Sequence, residues 1–180
     1  MVIVVIGIMA SLAVMTIGGN AAREFRRDAA RIQQVLAMAQ DEAPYAGEEI
    51  GFWIDPEGKS YQFLRFDDSK LDWKPYEQEG FSQHSFPAQF TVELEMSGDP
   101  VDLAKLYEEI YKLDKKSGKK KKKDKGPVPS LVFFSDGHYT PFRLRLINPL
   151  VDGFAFELRG DGLGDIRVRE VETGWRRAGK

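Results

Sequence analysis

Cysteine is absent from this 180-residue chain, histidine occurs only at His84 and His138, and no charged side chain stands before Arg23. The first absence excludes disulfides, thiol catalysis and thiolate metal sites. The second leaves little for a zinc site or a histidine-based relay. A membrane-tethered enzyme would need a nucleophile–histidine arrangement or a phosphate loop; neither motif is present, so neither an enzyme nor a cofactor is expected. Excess charge is lacking too. The net charge is −2, so there is no global basic field to recruit nucleic acid or anionic lipid. What is plentiful is turn chemistry: 17 glycines and nine prolines suit a domain of short β-strands. The length suits one domain plus an anchor.

The uncharged opening, Met1 to Ala22, is long enough to matter. As a helix it would rise roughly 33 Å at ~1.5 Å per residue, against a hydrocarbon core of ~30 Å. Three readings compete: a membrane-spanning helix, a cleaved secretory signal and a buried core helix. Met1 is followed at once by Val2-Ile3-Val4-Val5-Ile6, so the basic start of a signal is missing, and apolar sequence runs past Ala10-Ser11-Leu12-Ala13 to Ile17. A buried core helix is usually shorter. The spanning helix is the favoured reading for residues 1–22.

The helix does not stop there. Ala22, Phe25, Ala29, Ile32, Leu36, Ala39 and Ala43 recur at alternating spacings of three and four, one apolar stripe on an amphipathic continuation over residues 23–43. Phe25, Ala29, Ile32, Leu36 and Ala39 are the expected packing residues between helix and domain. Pro44 and Gly47 are the expected stop, and Gly18-Gly19-Asn20 a place for a bend or local melting, because glycine costs ~1 kcal/mol in a helix interior.

Residues 44–180 read as a β-rich domain. Ile50–Ile54 and Ser60–Phe66 flank a turn-rich Asp55-Pro56-Glu57-Gly58-Lys59, a hairpin pattern. Phe90, Val92, Leu94 and Met96 alternate with polar residues, as in a half-buried strand. Leu131–Phe134 and Phe142–Leu146 around Ser135-Asp136-Gly137 suggest a second hairpin; Phe154–Leu158 and Ile166–Val171 suggest a third. The fold class is therefore α+β, a long N-terminal helix on antiparallel β-sheet. An insertion over about 97–129 interrupts it. Asp99 could cap a helix beginning at Pro100, with Leu103, Leu106, Tyr107, Ile110 and Leu113 at helical spacing. The lysine-rich stretch after it, including Lys119 to Lys123, reads as a solvated loop.

Other sites are weak. Asp161 and Asp165, with Asp152 nearby, could offer oxygen ligands to calcium, but Gly160-Asp161-Gly162-Leu163-Gly164 is more simply a turn, so no metal is expected. Asp136-Gly137-His138 is likewise a turn. Trp53, Trp73 and Phe134 read as core residues.

Val4-Val5-Ile6-Gly7-Ile8-Met9-Ala10-Ser11-Leu12-Ala13 resembles the N-terminal helix of type IV pilins and pseudopilins. Arg27-Asp28-Ala29-Ala30-Arg31-Ile32, Leu36 to Ala43, Tyr61-Gln62-Phe63, Trp73 before Phe86-Pro87, and Leu131 to Gly137 leading to Thr140-Pro141-Phe142 are similar to the minor pseudopilin H family of type II secretion. The resemblance covers roughly residues 1–96 and 128–172; the lysine-rich insertion has no counterpart. It implies a pilin-like fold and a structural role in the secretion pseudopilus, supporting export of folded proteins across the outer membrane. It also implies other minor pseudopilins and the major pseudopilin as partners, and no small-molecule substrate. Small residues at Gly7, Ala10, Ser11 and Ala13 would form the helix assembly face, since they permit close helix approach.

The family's leader, mature phenylalanine and early glutamate have no match here. Aligning Gly7 with the motif glycine places them before Met1, and with them the processing and methylation that they direct. Arg23, Arg26, Arg27 and Arg31 just after the apolar run would, by the positive-inside rule alone, face the cytoplasm. The resemblance implies the reverse: a single-pass inner-membrane protein with its C-terminal domain in the periplasm. The competing reading is a type IV pilus or DNA-uptake minor pilin, with Lys119 to Lys123 as its DNA contact.

Overall fold

With no proline before Pro44, one helix, α1, runs from Val2 to Ala46. Its 45 residues span roughly 68 Å. The computed structural model describes the backbone of residues 2–108, 127–151 and 153–172, and the side chains of those segments from residue 20 onward. The helix passes through Gly18 and Gly19 without a break. Pro44 does not end it either. A proline in the last turn forfeits one backbone bond but leaves the helical φ intact. The stop is Gly47, at φ +67°, where the Glu48 N–H donates back to the Ala43 carbonyl at 3.2 Å. That six-to-one bond with a left-handed glycine is a Schellman cap.

The strands follow in two antiparallel sheets. β1 (Ile50–Ile54) and β2 (Ser60–Asp67) form the expected hairpin, with Ile54 opposite Tyr61. Its loop is held by Asp55, whose carboxylate accepts from the N–H groups of Glu57 and Lys59. β3 (Asp72–Pro75) and the two-residue β4 (His84–Ser85) pair with different parts of β2. The second sheet begins with β5 (Thr91–Met96) and β6 (Asp99–Val101). β7 (Leu131–Phe133) returns to the first sheet beside β1, in the order β3-β2-β1-β7. β8 (Phe142–Ile147), β9 (Phe154–Gly160) and β10 (Arg167–Glu172) complete the second, in the order β10-β9-β8-β5-β6. The hairpin expected at Phe154–Val171 is the β9–β10 pair.

Three expectations need correction. Leu131–Phe134 and Phe142–Leu146 do not pair as a hairpin. β7 pairs with β1 and β8 with β5 and β9; the turn between them is closed by a short Phe133–Tyr139 bridge, with the Phe134 N–H donating to the His138 carbonyl and the Thr140 N–H to the Val132 carbonyl, both at 2.8 Å. The physical reason is Pro141, which cannot donate to a ladder and redirects the chain between sheets. Asp99 does not cap a helix. It is the first residue of β6, opposite Met96 across a two-residue Ser97-Gly98 loop with φ of 55° and 90°. Positive φ at both loop positions is the geometry that matches strand twist in a tight hairpin. The helix starts later, over residues 103–108, and Asp102 caps it by accepting from the Lys105 N–H at 3.1 Å. Ile110, Leu113 and Lys119 to Lys123 lie outside the described residues. Phe134 is 36 % exposed and is not a core residue; Trp53 packs half-buried against the core, and Trp73 packs at a tilt against Phe66, ring centres 5.2 Å apart.

The core lies between α1 and the inner faces of both sheets. Phe25, Leu36, Phe52, Phe63, Phe133, Leu144 and Leu158 are fully buried. Alternation along β8 is complete: Phe142, Leu144 and Leu146 point inward, Arg143 and Arg145 outward. Gly160 sits on the inner face of β9, where a Cβ would collide with the rings of Tyr139 and Phe142. These rings occupy the space a larger residue would need.

Candidate assembly helix and its seat on the domain

The seat of α1 is built by one stripe of side chains. Phe25, Ala29, Leu36, Ala39 and Ala43 are completely buried, Ile32 is 3 % exposed, and Val35, off the expected stripe, is 8 % exposed. Alanines at alternate contacts bring the helix close to the sheets, and Phe25 fills the end of the seam. Its ring makes edge contacts with Phe90 at 4.9 Å and Phe156 at 4.8 Å, and stacks on Phe154 at 5.8 Å. Such aromatic pairs contribute about 0.5–1.5 kcal/mol each beyond burial.

Polar side chains beside the stripe fix the helix in rotation and register. The Gln33 amide donates to the Ile166 carbonyl at 3.0 Å and the Gln40 amide to the Gly164 carbonyl at 3.2 Å. Arg26 pairs with Glu170 at 2.8 Å while its guanidinium lies 5.4 Å from the Phe154 ring centre. The Tyr76 hydroxyl donates to Glu42 at 3.2 Å; burial, followed by this carboxylate, pushes the phenol up to about 12. On the other flank Arg31 faces both ring nitrogens of His84, at 3.1 and 3.4 Å. Burial and then the Arg31 charge hold the His84 imidazole below its ordinary value. Sequence reasoning does not identify these partners. The glutamines and arginines sit on positions that read as solvated, and only the folded sheets bring β10 and the loop before it within reach.

Asp161 does not gather with other carboxylates. It accepts from the N–H groups of Leu163 at 3.1 Å and Gly164 at 2.8 Å, and these bonds hold its carboxyl below the usual carboxylate range. Asp165 is exposed nearby, and Asp152 lies outside the described residues. Among the described residues no three His, Asp or Glu side chains converge as a metal site would require. Gly7, Ala10, Ser11 and Ala13 are on the first half of α1, whose side chains lie outside the described residues. The expected membrane span, residues 1–22, falls almost wholly there too. Among the described residues no helix is long and apolar enough to cross a membrane.

A long N-terminal helix seated by its second half on two antiparallel sheets defines a pilin-like protein. The fold is similar to that of the minor pseudopilin EpsH from the type 2 secretion system of Vibrio cholerae. One structure matches at TM-score 0.56 and 18 % identity, covering 84 % of this chain and 99 % of that one. Another matches at 0.57 and 19 %, covering 83 % and 96 %. The solution structure of Escherichia coli GspH matches at 0.50 and 19 %, covering 80 % and 86 %. No protein-family model matches the chain. A curated relative, type II secretion system protein H of Pseudomonas aeruginosa, is 30 % identical over 173 residues, covering 96 % of this chain and 90 % of that protein. The chain therefore belongs to the type II secretion system protein H family, the H-type minor pseudopilins.

Proposed function

We infer that the protein is a structural subunit of the type II secretion pseudopilus, joining it through α1 and supporting export of folded proteins from the periplasm. The match to protein H over nearly the whole chain carries this reading. The architecture supports it physically. The helix is roughly 68 Å long, and its stripe from Phe25 to Ala43 is seated on the domain. In a bilayer the apolar first half would be solvated by lipid; in a fibre the same surface would be buried by the helices of neighbouring subunits, which close packing at Gly7, Ala10, Ser11 and Ala13 would favour. The other minor pseudopilins and the major pseudopilin are the partners. Residues 1–22 act as the inner-membrane span before assembly, with the C-terminal domain in the periplasm, and the subunit performs no chemistry itself.

The test is a deletion strain complemented with this chain. Export of folded periplasmic proteins should fall on deletion and return with the wild-type gene. Unimpaired export in the deletion strain would overturn the reading. Replacing Gly7 and Ala10 with leucine should keep the domain folded but block complementation.

A further inference from the structure

The outer face of the second sheet carries two neighbouring rows of charge that are composed differently. In one row, Arg169 of β10 stands opposite Glu157 of β9, which stands opposite Arg145 of β8, which stands opposite Glu93 of β5. Signs alternate, and the row neutralises itself. Glu157 is 1 % exposed and accepts from Arg145 at 3.2 Å and Arg169 at 2.5 Å. Two residues along each strand, the next row reads Arg167, Arg159, Arg143, Glu95. Three arginines are adjacent, and Glu95 serves only the last, both of its carboxylate oxygens accepting from Arg143 Nη1 at 2.8 and 2.9 Å. Neighbouring strands lie about 4.8 Å apart, and like charges directly opposite each other destabilise a sheet. Arg159 and Arg167 are both exposed, and among the described residues neither forms an ion pair. Asp161, two residues beyond Arg159, has its carboxylate hydrogen-bonded to the backbone of its own loop; the nearby Arg167 charge helps to hold it low, without a direct ion pair.

We propose that the Arg159–Arg167 pair, flanked by Arg143, is a docking surface for a carboxylate-bearing face of another pseudopilin. The proposal rests on the pseudopilin reading above and names the surface and chemistry of one contact. Charge complementarity identifies the occupant. Two unpaired guanidinium groups one strand apart match two carboxylates at similar spacing, and guanidinium–carboxylate pairs are the strong, bidentate kind. The lysine-rich insertion of this chain has the wrong sign to cover the surface. A partner that brings the missing carboxylates removes the like-charge cost that the free subunit bears.

The test uses the full-length chain in detergent, with each other pseudopilin of its secretion system, separately purified, as the probe. Arg159→Glu/Arg167→Glu should weaken binding to one of them by at least about tenfold, and wild-type binding should fall as salt is raised. Arg159→Lys/Arg167→Lys, which keeps the charge but loses the planar fork, should bind more weakly than wild type yet more tightly than the glutamate variant. Arg159→Thr/Arg167→Thr should lose binding while its Tm stays level or rises, a split that a merely structural role would not give. Lys70→Glu, in an exposed turn, should change nothing. Wild-type binding by the Arg159→Glu/Arg167→Glu chain overturns the surface. So does a loss confined to phosphatidylglycerol vesicles with pseudopilin binding intact. If the wild-type chain binds no pseudopilin and the deletion strain exports normally, the functional reading falls as well, a result distinct from either of these.

Discussion

The two sheets close their second faces in opposite ways. Both put their inner faces against α1. The outer face of the first sheet is covered by the chain's own insertion: Tyr107 is 4 % and Leu103 8 % exposed, and the Tyr107 hydroxyl donates to the Ile54 carbonyl at 3.0 Å and lies 2.9 Å from the Ser130 hydroxyl. Pro129 and Trp73 press on the same side, so close that a Cβ on Gly51 would meet them at 2.6 and 2.9 Å. The outer face of the second sheet has no such cover among the described residues and is dressed in arginine and glutamate. An apolar cover excludes water and makes the first sheet a three-layer core. A charged face stays wetter, and β8 at its centre shows strict alternation. The difference teaches that one face is spent on stability and the other is available for contact.

Substitutions can break that contrast, beginning where the cover is thickest. Tyr107→Ala should destabilise the domain by about 4 kcal/mol, through a lost buried ring and an abandoned Ser130 hydroxyl and Ile54 carbonyl, read by chemical denaturation. If the loss is under about 1 kcal/mol, the insertion is not part of the core. Gly51→Ala should cost about 2 kcal/mol, because Pro129 and Trp73 would have to retreat. A neutral result there would show the cover to be loose.

The charged face should respond less, and with pH. Burial pushes the Glu157 carboxyl up, but hydrogen bonds from Arg169 and Arg145, with the Arg143 charge, outweigh it and hold the group below the usual carboxylate range. Its contribution is therefore complete above the unfolded-state value of about 4.3 and is lost as pH falls through the lower folded value. Glu157→Gln should cost about 2 kcal/mol at neutral pH, since the three arginines are part-exposed and water offsets some of the loss. The difference in stability between wild type and this variant should shrink on acidification; a pH-independent difference would mean that shape and not charge is at stake. Smallest of all, Glu95→Gln should cost about 0.5 kcal/mol and less in high salt, because the Arg143–Glu95 pair is only part-buried.

Legibility followed the same division. The stripe from Phe25 to Ala43 was readable because a helix facing an apolar core imposes a period on its sequence, and β8 because a sheet wet on one side imposes strict alternation. The β1–β2 and β9–β10 hairpins were readable because their turns are local. What failed were inferences that needed a partner's location. Leu131–Phe133 and Phe142–Ile147 look like two arms of a hairpin, yet they belong to different sheets. Asp99-Pro100 reads as a helix start, yet Ser97-Gly98 makes the tighter turn and Asp102 takes the cap. Glu157 is buried because Arg145 and Arg169 reach it from neighbouring strands.

The sequence alone determined the long helix, its change from apolar to amphipathic character, the α+β class and the kinship with pseudopilins. Each is written in spacings of a few residues, where local sterics and the period of burial act without reference to the rest of the chain. Tertiary structure decided which strands share a sheet, which acids neutralise which arginines, and that among the described residues Arg159 and Arg167 are left over. Those outcomes depend on cross-strand register between segments distant along the chain, and no local pattern can specify a neighbour that only folding supplies.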